Sequence, residues 1–129
     1  MRLQVKLLFA VAFLLILTSC SDFGNPVVAE LPLVPQEVQS IFDQNCLACH
    51  GGSGNLYLAE AVAWENLVNE PANSYSAIRV VPSNPDSSVL WNKLIGSDLF
   101  GAQMPLGGAL STTDLNIIEN WIQDGAATR

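Results

Sequence analysis

Apolar residues fall into one long run near the start of the chain and then into short repeats with helical spacing. The run extends from Leu7 to Leu17, with Arg2 and Lys6 before it and Thr18-Ser19-Cys20 after it. Basic residues, an apolar core and a small-residue boundary in that order make an export signal. The uninterrupted core is shorter than the roughly 20 residues a spanning helix needs, which favours cleavage, although Leu3 to Ser19 is borderline and leaves an uncleaved span open. After Pro35 the period changes. Val38, Ile41 and Phe42 recur at i, i+3 and i+4 behind a proline suited to a helix start, which predicts a helix over 35–45. Ala61, Trp64, Leu67 and Val68 predict a middle helix over 59–68, and Val89, Leu90 and Leu94 the inner face of a short one over 87–95. Ser111-Thr112-Thr113-Asp114 has the capping pattern [ST]-x-x-[DE] and opens the best-defined helix; its stripe is Leu115, Ile118, Trp121 and Ile122, and Gly125 ends it. The fold class expected is all-α.

Punctuation between these segments sets the domain organisation. Ser21 to Pro35 holds Pro26, Pro32 and Pro35 with little charge and no helical or strand period, as an extended spacer does. Residues 1–19 are therefore read as a signal peptide, 20–35 as a tether and 36–129 as one domain without internal repeats. Leu17-Thr18-Ser19-Cys20 resembles the bacterial lipoprotein signal, in which a cysteine after a small residue is acylated and becomes the mature N-terminus. That accounts for the third cysteine, which would otherwise stand as a free thiol in an oxidising compartment after ordinary cleavage nearby. The protein is expected to be exported and held by this lipid on a bacterial membrane, facing the periplasm or the cell exterior.

Charge then removes whole classes of function. The chain carries a formal −7, and cleavage takes Arg2 and Lys6 but no acidic residue, so the mature part stands near −9. Only Arg79, Lys93 and Arg129 remain as cations against twelve acidic residues. No basic patch for nucleic acid or anionic lipid can be assembled from three.

The chemistry is concentrated around the single histidine. Cys46-Leu47-Ala48-Cys49-His50 is C-x-x-C-H, the signature for covalent attachment of a c-type haem. Two thiols three residues apart lie on one face of a helical turn, so both can meet the vinyl groups along one porphyrin edge. The adjoining imidazole is then held under the iron as proximal ligand. Gly51, Gly52 and Gly54 follow, ending the helix and leaving no side chains to block a porphyrin. Two other chemistries use similar residues. A dithiol redox pair expects a βαβ setting and no histidine, and a zinc site takes four ligands where Cys46, Cys49 and His50 make three.

No second histidine exists to fill the sixth position of such an iron. Met1 leaves with the leader, so Met104 is the one thioether of the mature chain, in Gly101-Ala102-Gln103-Met104-Pro105-Leu106-Gly107-Gly108. Pro105 biases Met104 away from helix, as a strap over the far haem face requires, and a run of Gly and Pro is poor core sequence. Arg79 is a candidate partner for a haem propionate, or else a solvated surface arginine; Trp91 or Tyr57 could donate to the second propionate. The bland role of Trp64, Trp91 and Trp121 is core packing.

Taken together, Cys46 to His50, the Met104-Pro105 strap and the Trp121-Ile122 helix ending in Gly125-Ala126 resemble a monohaem class I c-type cytochrome. Arg79-Val80-Val81-Pro82, Ser88-Val89-Leu90 and Lys93-Leu94 narrow the likeness to a group of bacterial exported cytochrome domains. The resemblance implies a small helical domain wrapped around one covalent haem c, with the first and last helices crossing so that Phe42 nears Trp121. One departure is that no proline follows the haem motif to brace the imidazole, as it does in many mitochondrial-type relatives. Iron saturated by His50 and Met104 has no place for a small-molecule substrate, so the expected function is one-electron transfer between redox protein partners rather than catalysis. Those partners would dock at a haem edge framed by Leu47, Ala48, Ala102, Gln103, Leu106 and Ala109. The rival readings are a haem sensor or peroxidase-like enzyme in which Met104 is displaced, and a docking subunit whose haem stabilises it within a larger redox complex.

If Cys20 carries the anchor, Cys20→Ser releases the protein from membranes into the soluble exported fraction. Fractionation checks this; a variant that stays with the membranes indicates an uncleaved span.

Overall fold

The computed structural model describes residues 30–52 and 55–129; the leader, residues 20–29 of the tether including Cys20, and Gly54 lie outside the described residues. The described part is all-α. Five α-helices are present among these residues: α1 (Gln36–Asn45), α2 (Leu47–His50), α3 (Ala63–Leu67), α4 (Val89–Ile95) and α5 (Thr112–Gln123), with 3-10 turns at Pro85–Ser87 and Asp98–Phe100. No strand occurs among the described residues, and sheet-like pairing is confined to three isolated bridges.

Helix α1 begins as its sequence predicts, with Pro35 at the N-cap and the Gln39 amide closing the first turn on the Pro35 carbonyl at 2.9 Å. Its inner face is Val38, Ile41 and Phe42, plus the buried Gln39. That side-chain amide uses both of its donor hydrogens: Nε2 donates to Asp43 Oδ1 at 2.6 Å and to the Leu58 carbonyl at 3.0 Å. Helix α5 opens with the expected cap, the Asp114 amide donating to Ser111 Oγ at 3.1 Å. It buries Ile118, Trp121 and Ile122. Helices α1 and α5 pack against each other, and Phe42 and Trp121 share one apolar core with them.

Two of the expected helices are shorter than their apolar spacing suggests. The middle one starts only at Ala63, because residues 59–62 form a turn and no Ser, Thr, Asp or Asn stands there to cap an earlier start. It stops at Leu67 because Val68 turns extended to bridge Val80, with the Asn69 amide on the Val80 carbonyl at 2.9 Å. The segment expected over 87–95 is divided at Ser88. That hydroxyl accepts from the Val81 amide at 2.8 Å and donates to the Asn84 carbonyl at 2.8 Å, so the backbone there is extended, and α4 begins one residue later.

The C-terminus is stitched back onto the start of the domain. Trp64 Nε1 donates to the Ala126 carbonyl at 2.9 Å and Trp121 Nε1 to that of Ala127 at 3.0 Å. The Arg129 amide donates to the Leu33 carbonyl at 3.0 Å, while its guanidinium reaches Glu60 and Gln36. Trp64 and Trp121 therefore combine core packing with satisfaction of their indole N–H groups.

Phe42 is fully buried at the α1–α5 contact, so Phe42→Ala should cost about 3–5 kcal/mol. Ser111→Ala, which removes one exposed cap, should cost about 1 kcal/mol. Urea unfolding of the two variants measures both; the opposite ranking would contradict this packing.

Candidate functional site

One cavity of about 260 Å³ opens beside α4 and the α1–α2 junction and collects residues from across the chain. Cys46 and His50 line it from the α1–α2 junction, Arg79 from the segment before α4, Lys93 from α4 and Met104 from the strap after it. Leu56, Leu58, Leu67, Val89, Leu90 and Leu94 supply its apolar walls. Tertiary structure thus brings together four of the five site residues proposed for the domain.

The fifth, Cys49, is exposed and outside the lining. Cys46 is the C-cap of α1 and stands just ahead of α2, whereas Cys49 lies within α2; the Cys49 and His50 amides both donate to the Cys46 carbonyl, at 3.1 and 2.8 Å. The helical turn expected around the motif is present. Gly51 ends it at a point where a Cβ would lie 2.8 Å from the Leu47 carbonyl oxygen, so only glycine fits without a backbone shift. Both thiols are free.

Burial shapes the chemistry of these groups. It pushes the Cys46 thiol up to about 11, opposite to the lowered pKa of a nucleophilic cysteine in a dithiol redox centre. It also holds the His50 imidazole below its usual range, and therefore neutral with a lone pair to offer near neutral pH. His50 Nδ1 is buried and has no hydrogen-bond partner among the described residues. No group of three His, Cys, Asp or Glu side chains is gathered for a metal ion among the described residues, which leaves the zinc reading without a ligand set.

Arg79 is half-buried at the cavity, and its fork is partly used on the protein itself. Nη1 donates to the Asn66 carbonyl at 2.6 Å and Nη2 to that of Asn55 at 3.1 Å. Among the described residues no carboxylate pairs with Arg79 or Lys93, the one salt bridge being Arg129 to Glu60. Lys93 Nζ donates to the Ala102 carbonyl at 3.2 Å and lies 5.4 Å from the Tyr75 ring centroid. Trp91 is buried in the core and Tyr57 bridges Gly51; neither lines the cavity.

Sequence reading missed the loop Ala72 to Tyr75, which forms one wall, and the place of Lys93 in the lining. Lys93 carried a usable signal: it follows Val89 by four residues and Leu90 by three, on the face already identified as inward. The 72–75 loop carried none, because polar loop sequence has no period. No family model, curated protein or solved structure matches the chain.

Arg79 ties helix α3 to the loop at Asn55 by their carbonyls, so Arg79→Met should lower stability by about 1–2 kcal/mol. Arg79→Lys should recover only part of it, since one ammonium cannot fork between Asn66 and Asn55. Urea unfolding decides; full stability in the lysine variant would contradict the forked geometry.

Proposed function

We propose that this chain is an exported, lipid-tethered monohaem c-type cytochrome that carries one electron at a time between redox proteins. The observation that carries the reading is the convergence of Cys46, His50 and Met104, distant in sequence, on a single apolar cavity with cations at its wall. These residues suit the group. Apolar walls fit a macrocycle, a neutral imidazole and a thioether fit its iron, and Arg79, a cation without a carboxylate partner, fits a propionate.

In this reading Cys46 and Cys49 would hold a haem through thioethers, and His50 and Met104 would ligate its iron. The bound haem supplies one-electron exchange between Fe(III) and Fe(II). His50 offers a lone pair because burial keeps it neutral; Met104 offers a soft, uncharged donor from the opposite element. Thioether ligation and the apolar leucine walls would favour the less charged, reduced iron and raise the potential. With both axial positions taken by side chains, a carrier is favoured over an enzyme.

Surface properties support a protein partner. Leu106 is 72% exposed beside the Met104 strap, and Ala48, Ala102, Gln103 and Ala109 are exposed as well. A small-residue and apolar rim permits close approach, while the acidic remainder favours a positively charged partner with a salt-dependent association rate. No described helix is long and apolar enough to cross a membrane; attachment is assigned to the acylated Cys20.

Haem should stay on the polypeptide through denaturing electrophoresis, and Cys46→Ala with Cys49→Ala should abolish the haem stain. Met104→Ala should remove the sulfur-to-iron charge-transfer band of the oxidised protein, open the iron to carbon monoxide and lower the potential. Haem retained by the double cysteine variant would sink the covalent assignment. Ready binding of carbon monoxide by the unaltered reduced protein would make Met104 a displaceable ligand, and the sensor reading would replace the carrier.

A further inference from the structure

A helix leaves its last four carbonyls without intrahelical donors. At the end of α4 three of the four find donors nearby. The Asn92 carbonyl accepts from the Gly96 and Ser97 amides, the latter at 2.9 Å, as the chain turns through a left-handed Gly96. The Lys93 carbonyl accepts from the backbone amide of Met104 at 2.9 Å. The Leu94 carbonyl accepts from Gln103 Nε2 at 2.8 Å. Two of the four are thus satisfied by consecutive residues of the strap, one through the main chain and one through a side chain.

The fit around Gln103 is close. A Cβ at Gly96 would lie 3.0 Å from both Cδ and Oε1 of Gln103, so glycine at this turn serves both the positive φ of 71° and the space the amide occupies. Tyr75 Oη on the Phe100 carbonyl and Lys93 Nζ on that of Ala102 fasten the strap further back. Tyr75 and Lys93 face the cavity, whereas Gln103 does not line it. A change at Gln103 therefore reaches the cavity through two lining residues, its sequence neighbour Met104 and its hydrogen-bond partner Leu94.

We propose that Gln103 is a positioning residue for Met104: its amide latches the strap to the end of α4 and keeps the thioether at the cavity. The proposal rests on the haem reading given above, in which Met104 is the sixth ligand. A thioether is a weak donor held by a Gly- and Pro-rich segment, so the fraction of time it is off the iron depends on how firmly that segment is pinned. One neutral hydrogen bond shifts such an equilibrium by about three- to tenfold. Helix α4 and the strap then act as one body, with the sulfur's position set by the helix end.

The test uses full-length holoprotein with three side chains at this position. Gln103→Glu keeps the shape but sets a carboxylate against the Leu94 carbonyl; Gln103→Lys restores a donor of sufficient reach. In Gln103→Glu the reduced protein should bind carbon monoxide about three- to tenfold more tightly than the unaltered protein. Its oxidised form should lose the sulfur-to-iron charge-transfer band at a lower temperature. Gln103→Lys should match the unaltered protein on both readouts. Neither measurement involves a redox partner, so the added charge at the exposed rim does not enter through docking. Identical carbon monoxide affinity and band in Gln103→Glu, with haem still covalently attached, would overturn the latch while leaving the haem reading intact. Equal loosening in the Glu and Lys variants would overturn it too, since the donor would not be the cause. Absence of covalent haem from the unaltered protein on a denaturing gel would overturn the haem reading and the latch with it.

Discussion

Helix α1 lies against α5 through Phe42, Ile118 and Ile122, each with no exposed surface, and most of the remaining architecture is referred to that contact. A domain of this size buries too little apolar area to tolerate a loose pairing between its ends. The chain therefore doubles the contact with polar ties: two tryptophan N–H groups to the tail and the Arg129 amide to Leu33. With α1 fixed, Cys46 and His50 emerge at its far end in a defined place. Helix α4, which also packs on α5, then forms the opposite wall of the cavity.

Polar groups in this small core are located where the backbone is left short of partners. Gln39 meets the Leu58 carbonyl, Ser88 the Asn84 carbonyl and Val81 amide, and Asn92 the carbonyls of Asp86 and Ser88. Most of these bonds serve backbone groups at the ends of short elements, and leaving such a group buried and unpaired would cost more than the bond itself returns. His50 Nδ1 is the exception among the described residues, together with Gln39 Oε1. An imidazole without an acceptor behind it is oriented by packing alone, so on the proposed reading its ring is held chiefly by the covalent attachment at the neighbouring cysteines.

Positive charge is distributed with the same economy. Of the three cations that the described residues contain, Arg129 closes the termini by pairing with Glu60, and the other two stand at the cavity without carboxylate partners. In a chain otherwise dominated by acidic groups, that leaves the cavity as the place where an anionic edge meets least repulsion. The arrangement is local. It coexists with an acidic exterior that acts at longer range on approaching proteins.

The amino-acid sequence by itself determined the helical class, the start of α1, the Ser111 cap of α5 and the buried stripe of Ile118, Trp121 and Ile122, because those features depend on near neighbours and a 3.6-residue period. It also carries the Cys46–His50 spacing on which the haem proposal rests, since covalent spacing is local too. Helix lengths were less legible: the 59–68 and 87–95 patterns were cut short where Val68 pairs with Val80 and where the Ser88 hydroxyl captures the backbone. Only tertiary structure decided that Met104 and Arg79 share a cavity with His50, that Lys93 and the 72–75 loop line it while Trp91 and Tyr57 do not, and that Gln103 completes the end of α4. Those are pairings between segments with no common period. They are set by which carbonyls and apolar faces remain unsatisfied once the local elements have formed, and that remainder exists only in the folded chain.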